Sequence, residues 1–327
     1  MYTKQSKTYN SKPCYSLSDM ECRKPLAVDT TKWLKLLERV SKGAFGQVYK
    51  ATVDNVTTVA VKQQYIKDNT KQIRECEVNI ILNSLSTQGA PNFIKIREYF
   101  VCNAPNTIKS EIDFEDIKDS ILCSPDKNDN DVFNLVSVYD LADGDITFFT
   151  GDKEKLAIVI SLCLQAILSY EVAHKKLKLV HGDFKPANIL FMKSDSDKKF
   201  FKYKNNYSEY VVPNLGYKAL IGDFGLSYLY KPDQNEKRLD DYKRLLSSVG
   251  VENIMGLDID GFRDYITNVT KPYSNVTDDD SEVFISNVAF MFNDKETMPY
   301  IKTSNDKLLS DIPSISAEID GDGYVGL

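Results

Sequence analysis

The sequence predicts an α+β fold in two parts, a small β-rich part followed by a mainly helical one. Three observations point that way. A chain of 327 residues can bury a large core and favours more than one lobe. Residues 38–63 alternate like strands around two glycines. Residues 152–174 instead repeat their apolar positions at helical spacing. The expected organisation is an N-terminal tail or arm over residues 1–30, the β-rich part over 31–138 and the helical part over 139–327.

Composition narrows the class. Apolar residues make up 42% and charged residues 27%, as in soluble globular proteins. The net charge of -6 gives no reason to expect nucleic-acid binding. The 6 cysteines lack CxxC spacing and there are only 2 histidines, which argues against zinc and for reduced, structural thiols. The first residues are polar, without the apolar stretch of a secretory signal. No window approaches the roughly 20 apolar residues of a membrane helix. An intracellular, cytoplasmic protein without a membrane span is expected.

Taken in order, Trp33, Leu34 and Leu37 fall near one face of a short helix over Thr31–Leu37. Strand-like alternation then surrounds Val40-Ser41-Lys42-Gly43-Ala44-Phe45-Gly46-Gln47-Val48. Such a strand–glycine–strand unit can bring bare backbone N–H groups close to phosphates, because glycine permits close approach. Ala51–Val56 and Thr57–Gln63 read as two strands about a turn at Asp54-Asn55, the second carrying Val59-Ala60-Val61-Lys62. Thr70–Leu85 is helical through Ile73, Val78, Ile81, Leu82 and Leu85, and carries Glu75 and Glu77.

Phe93–Cys102 and Asp131–Tyr139 read as strands separated by a long polar, acidic insertion at 103–130. Val136–Leu141 then connects the two parts, with Ser137 as a small residue near the connection. The helix at 152–174 runs into Val180-His181-Gly182-Asp183-Phe184-Lys185-Pro186-Ala187-Asn188-Ile189-Leu190. That turn places a carboxylate, an ammonium two residues on and an amide five residues on, a set suited to moving a phosphoryl group. A Lys- and Tyr-rich insertion at 192–210 and a strand at Tyr217–Ile221 lead into Gly222-Asp223-Phe224-Gly225. Arg238–Val249, Gly261–Thr267 and Ser281–Phe292 read as helices.

Gly43/Gly46, Lys62, Glu77, Asp183-Lys185-Asn188 and Asp223-Phe224-Gly225 stand in one order. Together they resemble the eukaryotic-type protein kinase family over residues 40–249. The resemblance implies a bilobal kinase-like fold. It also implies a Ser/Thr protein kinase that uses ATP and Mg²⁺, with a protein substrate as partner. Asp183 would be the catalytic base and Lys185 would steady the γ-phosphoryl group, while Asn188 and Asp223 hold metal. Val40, Gly43, Gly46, Val48, Lys62, Glu77, Val138 and Tyr139 would bind ATP, with Glu77 the favoured partner of Lys62 and Glu75 the alternative. Backbone groups of the connection would meet the adenine edge.

Departures from the family pattern are informative. Ser41 replaces the first glycine of the phosphate loop, and Gly182 replaces the arginine that precedes the catalytic Asp. No Ala-Pro-Glu follows Gly225, and Asp241-Tyr242-Lys243-Arg244-Leu245 resembles the start of the helix that normally comes much later. These features imply a shortened activation segment and activity without its phosphorylation. With Val211–Tyr217, they resemble the divergent kinases of large cytoplasmic DNA viruses, and so a host cytoplasm or virion. Two alternatives stay open: a pseudokinase scaffold, and a small-molecule kinase of the aminoglycoside or choline type. The second shares His-Gly-Asp-x-x-x-x-Asn but lacks the Lys185 spacing and the Phe-Gly after the metal Asp.

Overall fold

Period-2 burial builds the first of two compact units, residues Met1–Ile81 with Lys95–Leu141. The computed structural model describes residues 29–43, 46–66, 71–86, 89–106, 122–127, 132–150, 152, 155–194, 200–204, 209–229, 237–248, 302–303 and 324–326. Most of the expected N-terminal tail and the helices expected at Gly261–Thr267 and Ser281–Phe292 lie outside them.

Five strands, β1 (Leu34–Gly43), β2 (Gly46–Val53), β3 (Thr57–Ile66), β4 (Ile96–Asn103) and β5 (Phe133–Asp140), form one antiparallel sheet in the order β1-β2-β3-β5-β4. The turn between β2 and β3 uses Asp54 and Asn55 at φ 51° and 57°. Two successive left-handed residues match the twist of a tight hairpin, and Asp and Asn tolerate that conformation.

One sheet face is the core of this unit. Tyr49, Ala51, Val53, Val59, Val61, Val136 and Val138 pack there with Leu34 and Cys102. Each such aliphatic side chain contributes about 1.5–3 kcal/mol when fully buried. The other face carries Lys62, because Val48, Lys62 and Ser137 are successive cross-strand partners. Helix α1 (Lys71–Leu85) contacts that face, Cys76 Sγ lying 3.0 Å from Ser137 Oγ.

Two expectations are corrected here. The helix expected at Thr31–Leu37 is a single 3-10 turn, Thr30–Lys32, followed directly by β1. Leu34 and Leu36 pair with Val53 and Ala51 and turn inward, whereas Lys35 and Leu37 are exposed. The spacing that counts is therefore two, and pairing with β2 overrides the local helical pattern. The cysteines are also not all reduced: Cys102 and Cys123 form a disulfide across a separation of 21 residues. It fastens the end of the 103–130 insertion, with Leu122 and Cys123, into the core. Cys76 and Cys163 are free and buried, and burial pushes both thiols up to about 12.

The second unit comprises Leu82–Ile94 and Ala142–Leu327. Short β6 (Gly144–Asp145) precedes helix α2 (Leu156–Leu177), which ends at Lys178 in the left-handed conformation and passes into β7 (Leu179–Val180). Contrary to expectation, Ala157–Leu177 is long and apolar enough to cross a membrane by length and composition, yet 89% of that window is buried within the protein. A helix apolar on all sides suits a protein core.

The few polar groups of α2 reach out to the elements around it. Ser161 Oγ donates to Pro213 O, and the Gln165 side chain donates to Tyr217 O and accepts from Ala219 N. Ser169 Oγ donates to Asn92 Oδ1. Satisfied buried groups of this kind fix one arrangement of the surrounding backbone.

The remaining strands are β8 (Ile189–Lys193), β9 (Phe200–Lys204), β10 (Glu209–Pro213), β11 (Tyr217–Ile221) and β12 (Tyr228–Leu229). Helix α3 (Lys237–Ser248) follows, then β13 (Lys302–Thr303) and β14 (Tyr324–Gly326). From the 192–210 insertion, β9 and the start of β10 pair and extend to β13 and β14 in the order β13-β10-β9-β14. Strands β11, β8 and β6 make a three-stranded sheet.

Candidate active site

Strand register brings the second unit's functional residues together. β8 and β11 pair from Ile189↔Ile221 to Tyr217↔Lys193. The residue before one strand therefore meets the residue after the other, and Gly222 N donates to Asn188 O at 2.9 Å. This places Asn188 beside the segment that carries Asp223. Asp223 is exposed and left-handed at φ 59°, ψ 69°, leading into a 3-10 turn over Phe224–Leu226. Asp tolerates that backbone better than most residues, and strain of this kind collects at functional sites.

The loop before Asn188 is pinned from beneath. Phe184 stacks on Tyr170 at 4.8 Å and His181 lies 4.7 Å from Phe224. His181 Nε2 is 3.0 Å from Gly222 O, while Nδ1 accepts from Asp183 N–H at 3.3 Å. A carbonyl only accepts, so both bonds together require the neutral ring with its proton on Nε2. Burial agrees, holding the imidazole below its usual range against the pull of Asp241. Asp241 in α3 accepts from His181 N at 2.9 Å and from Gly182 N at 3.1 Å.

Asp183 stands on this platform with both carboxylate oxygens engaged. Oδ2 meets Lys185 Nζ at 2.6 Å and accepts from Asn188 Nδ2 at 3.1 Å. Oδ1 meets Arg244 Nη1 at 3.1 Å. Burial pushes the carboxyl up, but the hydrogen bond and charge of Lys185, the Asn188 amide and the Arg244 cation outweigh it. The net effect holds Asp183 below the usual carboxylate range, and the group stays ionised and able to accept a proton.

The first unit holds its own charged pair. Lys62 Nζ lies 2.6 Å from Glu75 Oε1, with side-chain exposures of 16% and 3%. Gln64 Nε2 donates to Glu75 Oε2 at 3.4 Å. The favoured partner, Glu77, is thus corrected to Glu75. In a helix, positions two apart point to different faces, and the face of α1 that meets the sheet carries Glu75 together with Cys76 and Asn79, which are also buried.

The other expected nucleotide contacts divide. Gly43 and Gly46 pair across the tip of the β1–β2 hairpin, whose residues 44–45 lie outside the described ones. A Cβ on Gly46 would sit 2.1 Å from Gln63 O, and its φ of 146° is one that side chains rarely adopt, so packing and backbone both call for glycine there. Val48 shares the Lys62 face, as does Tyr139, the partner of Ala60. Val40 is 58% exposed, at an irregularity in β1. Val138 is in the core, between β3 and β4 in the sheet. The expected connection at Val136–Leu141 is strand as far as Asp140, which pairs with Val59.

The donors fit a magnesium ion. Asn188 uses its amide nitrogen on Asp183 and keeps its amide oxygen, and Asp223 offers a carboxylate. Magnesium takes one or two such protein oxygens and completes its shell from water and phosphates. A dedicated cluster of three or more His, Cys, Asp or Glu is absent among the described residues.

Asp241 and Arg244 are the residues around Asp183 least visible in the sequence. The available signal was their one-turn spacing on a helix, which puts both on one face.

No model of a known protein family matches the chain. Over 215 residues, 62% of its length, the chain is 25% identical to the "Probable serine/threonine-protein kinase 380R" of Invertebrate iridescent virus 6. It spans 38% of that protein's length. The similarity supports a distant kinase-like relationship, and the mixed α and β architecture is compatible with a kinase-like fold.

Proposed function

We propose that this chain is an ATP- and Mg²⁺-dependent protein kinase that phosphorylates serine or threonine hydroxyls. In this reading residues 31–138 form the small lobe of a kinase-like fold and residues 139–327 the large one. One observation carries the proposal. Asp183 is an ionised, part-exposed carboxylate braced by Lys185 and Asn188, with Asn188 beside the Asp223 segment through strand register.

Phosphoryl transfer asks for in-line positioning and neutralisation of developing charge more than for covalent chemistry. Asp183 orients the substrate hydroxyl and takes its proton as the new O–P bond forms and the bond to the ADP oxygen breaks. Lys185 shifts part of its charge toward the transferred group. Lys62, fixed by Glu75, holds the α- and β-phosphates. Magnesium held by Asn188 and Asp223 would supply charge neutralisation on the phosphate oxygens. Gly182 leaves no arginine to pair with an activation-loop phosphate, so the chain works without that modification.

The experiment is incubation of purified protein with Mg²⁺ and labelled ATP, against mixed proteins in one arm and small aminoalcohols in the other. Label on serine and threonine of proteins is the expected result. Label only on the aminoalcohols would overturn the choice of substrate class, and label in neither arm would overturn the enzyme.

A further inference from the structure

We infer that Arg244 is a positioning residue that holds the Asp183 carboxylate, doing from helix α3 what residue 182 cannot do. The inference rests on the kinase reading of Asp183. It begins with Gly182, whose φ is 78° and whose added Cβ would lie 2.6 Å from Leu226 O. Both the backbone conformation and that backbone oxygen make a side chain strained there. No cation can come from this position.

The cation comes instead from one turn of α3. Asp241 accepts from the N–H groups of His181 and Gly182. Arg244, three residues later on the same face, reaches back with Nη1 to Gly182 O at 2.7 Å and Asp183 Oδ1 at 3.1 Å. A single helical turn thus grips both polar edges of the loop backbone and the carboxylate it carries.

The turn itself is immobilised. Tyr170 Oη donates to Asp241 Oδ2 at 2.7 Å and Tyr242 Oη donates to Glu171 Oε2 at 2.6 Å, both in the buried interior against α2. Arg244 remains about half exposed at its own end.

The arrangement gives each carboxylate oxygen a different keeper. Lys185 and Asn188 hold Oδ2, and Arg244 holds Oδ1. Without Arg244 the carboxylate loses the contact that fixes its rotation and keeps a single cation, Lys185, which the reaction also needs. A charged donor to a carboxylate is among the stronger hydrogen bonds, and small misplacements of a catalytic group have large kinetic effects.

The test compares wild type, Arg244→Gln, Arg244→Lys, Lys243→Ala and Asp183→Ala in steady-state phosphotransfer, with thermal melts alongside. Arg244→Gln should lower kcat by roughly 30-fold while KM for ATP changes less than about twofold. Arg244→Lys should recover part of the loss, and Lys243→Ala should behave as wild type. Unchanged melting temperatures would keep the effect separate from folding.

If wild type transfers phosphate and Arg244→Gln equals it, the inference falls while the kinase reading stands. Faster turnover in Arg244→Gln would make the contact an inhibitory latch and also overturn it. If wild type shows no transfer above Asp183→Ala, the kinase reading falls and takes the inference with it.

Discussion

Two ionic clusters, one in each unit, use similar side chains for different ends. Lys62 and Glu75 pair on a sheet face, with exposures of 16% and 3%. Asp183 is shared among Lys185, Asn188 and Arg244, and the two cations are 44% and 49% exposed. The first pair is the more deeply buried, and losing either member takes a close charged partner from a group held in a poor solvent. The second lies nearer the surface, its carboxylate itself 19% exposed. In the proposed reaction, that difference in burial separates a group that would hold a ligand from a group that would react.

The comparison breaks most visibly if the Lys62–Glu75 pair is deleted as a unit. Lys62→Met with Glu75→Leu removes both charges and fills the same space. Replacing a buried pair by apolar groups is often close to neutral for stability. Urea unfolding should therefore stay near wild type while phosphotransfer falls by about 100-fold. Glu75→Ala alone should cost about 3 kcal/mol, because Lys62 is left part-buried without its carboxylate. Glu77→Ala should cost less, and the reverse order would restore the pairing first expected from the sequence.

A second break concerns the disulfide of the first unit. Cys102→Ser with Cys123→Ser should cost roughly 3 kcal/mol in denaturant unfolding, as expected for opening a closed loop of this size. Wild type under strong reductant should lose a similar amount. The Lys62–Glu75 pair and the disulfide belong to the same unit, so the two losses should appear in one transition.

In the second unit, Gly182→Ala meets both a left-handed backbone and the Leu226 carbonyl. A loss of about 2 kcal/mol is expected. Gly182→Arg should be worse, although it restores the arginine of the family pattern.

The smallest effect is a pH dependence through His181. Burial, the largest influence, holds its folded pKa below the ordinary imidazole value of about 6.5. The unfolded ring binds a proton below about 6.5 while the folded ring does not, so stability is kept above that pH and falls as pH drops beneath it. Thermal melts from pH 8 to pH 5 would show the decline, and His181→Gln should flatten it.

Much of this was legible because short segments carry their own geometry. Tyr217–Ile221 was read as a strand with its observed bounds, and the turn at Asp54-Asn55 was placed correctly. Both depend on local chemistry, alternation in one and left-handed residues in the other. The order and spacing of Lys62, Asp183, Asn188 and Asp223 are the part of the kinase reading that the sequence carries.

What escaped depends on partners distant in sequence. Trp33, Leu34 and Leu37 fit a helix until β2 is available to pair with. Glu75 and Glu77 differ only in which face of α1 meets the sheet, a tertiary fact. Cys102 and Cys123 carry no motif, and their link is visible only once Leu122 is buried beside them. Arg244 looks like a surface cation until Gly182 is seen to exclude any side chain of its own.

On the proposed function, the Asp183 carboxylate drives phosphoryl transfer to proteins. The most direct measurement is the rate of phosphate transfer from Mg²⁺-ATP to mixed protein substrates by wild type and by Asp183→Ala, with phosphosites read by mass spectrometry. A drop of about 1000-fold in the variant, with serine and threonine sites in the wild-type reaction and equal melting temperatures, is the predicted result. Equal rates for the two proteins, or no transfer by either, would contradict it.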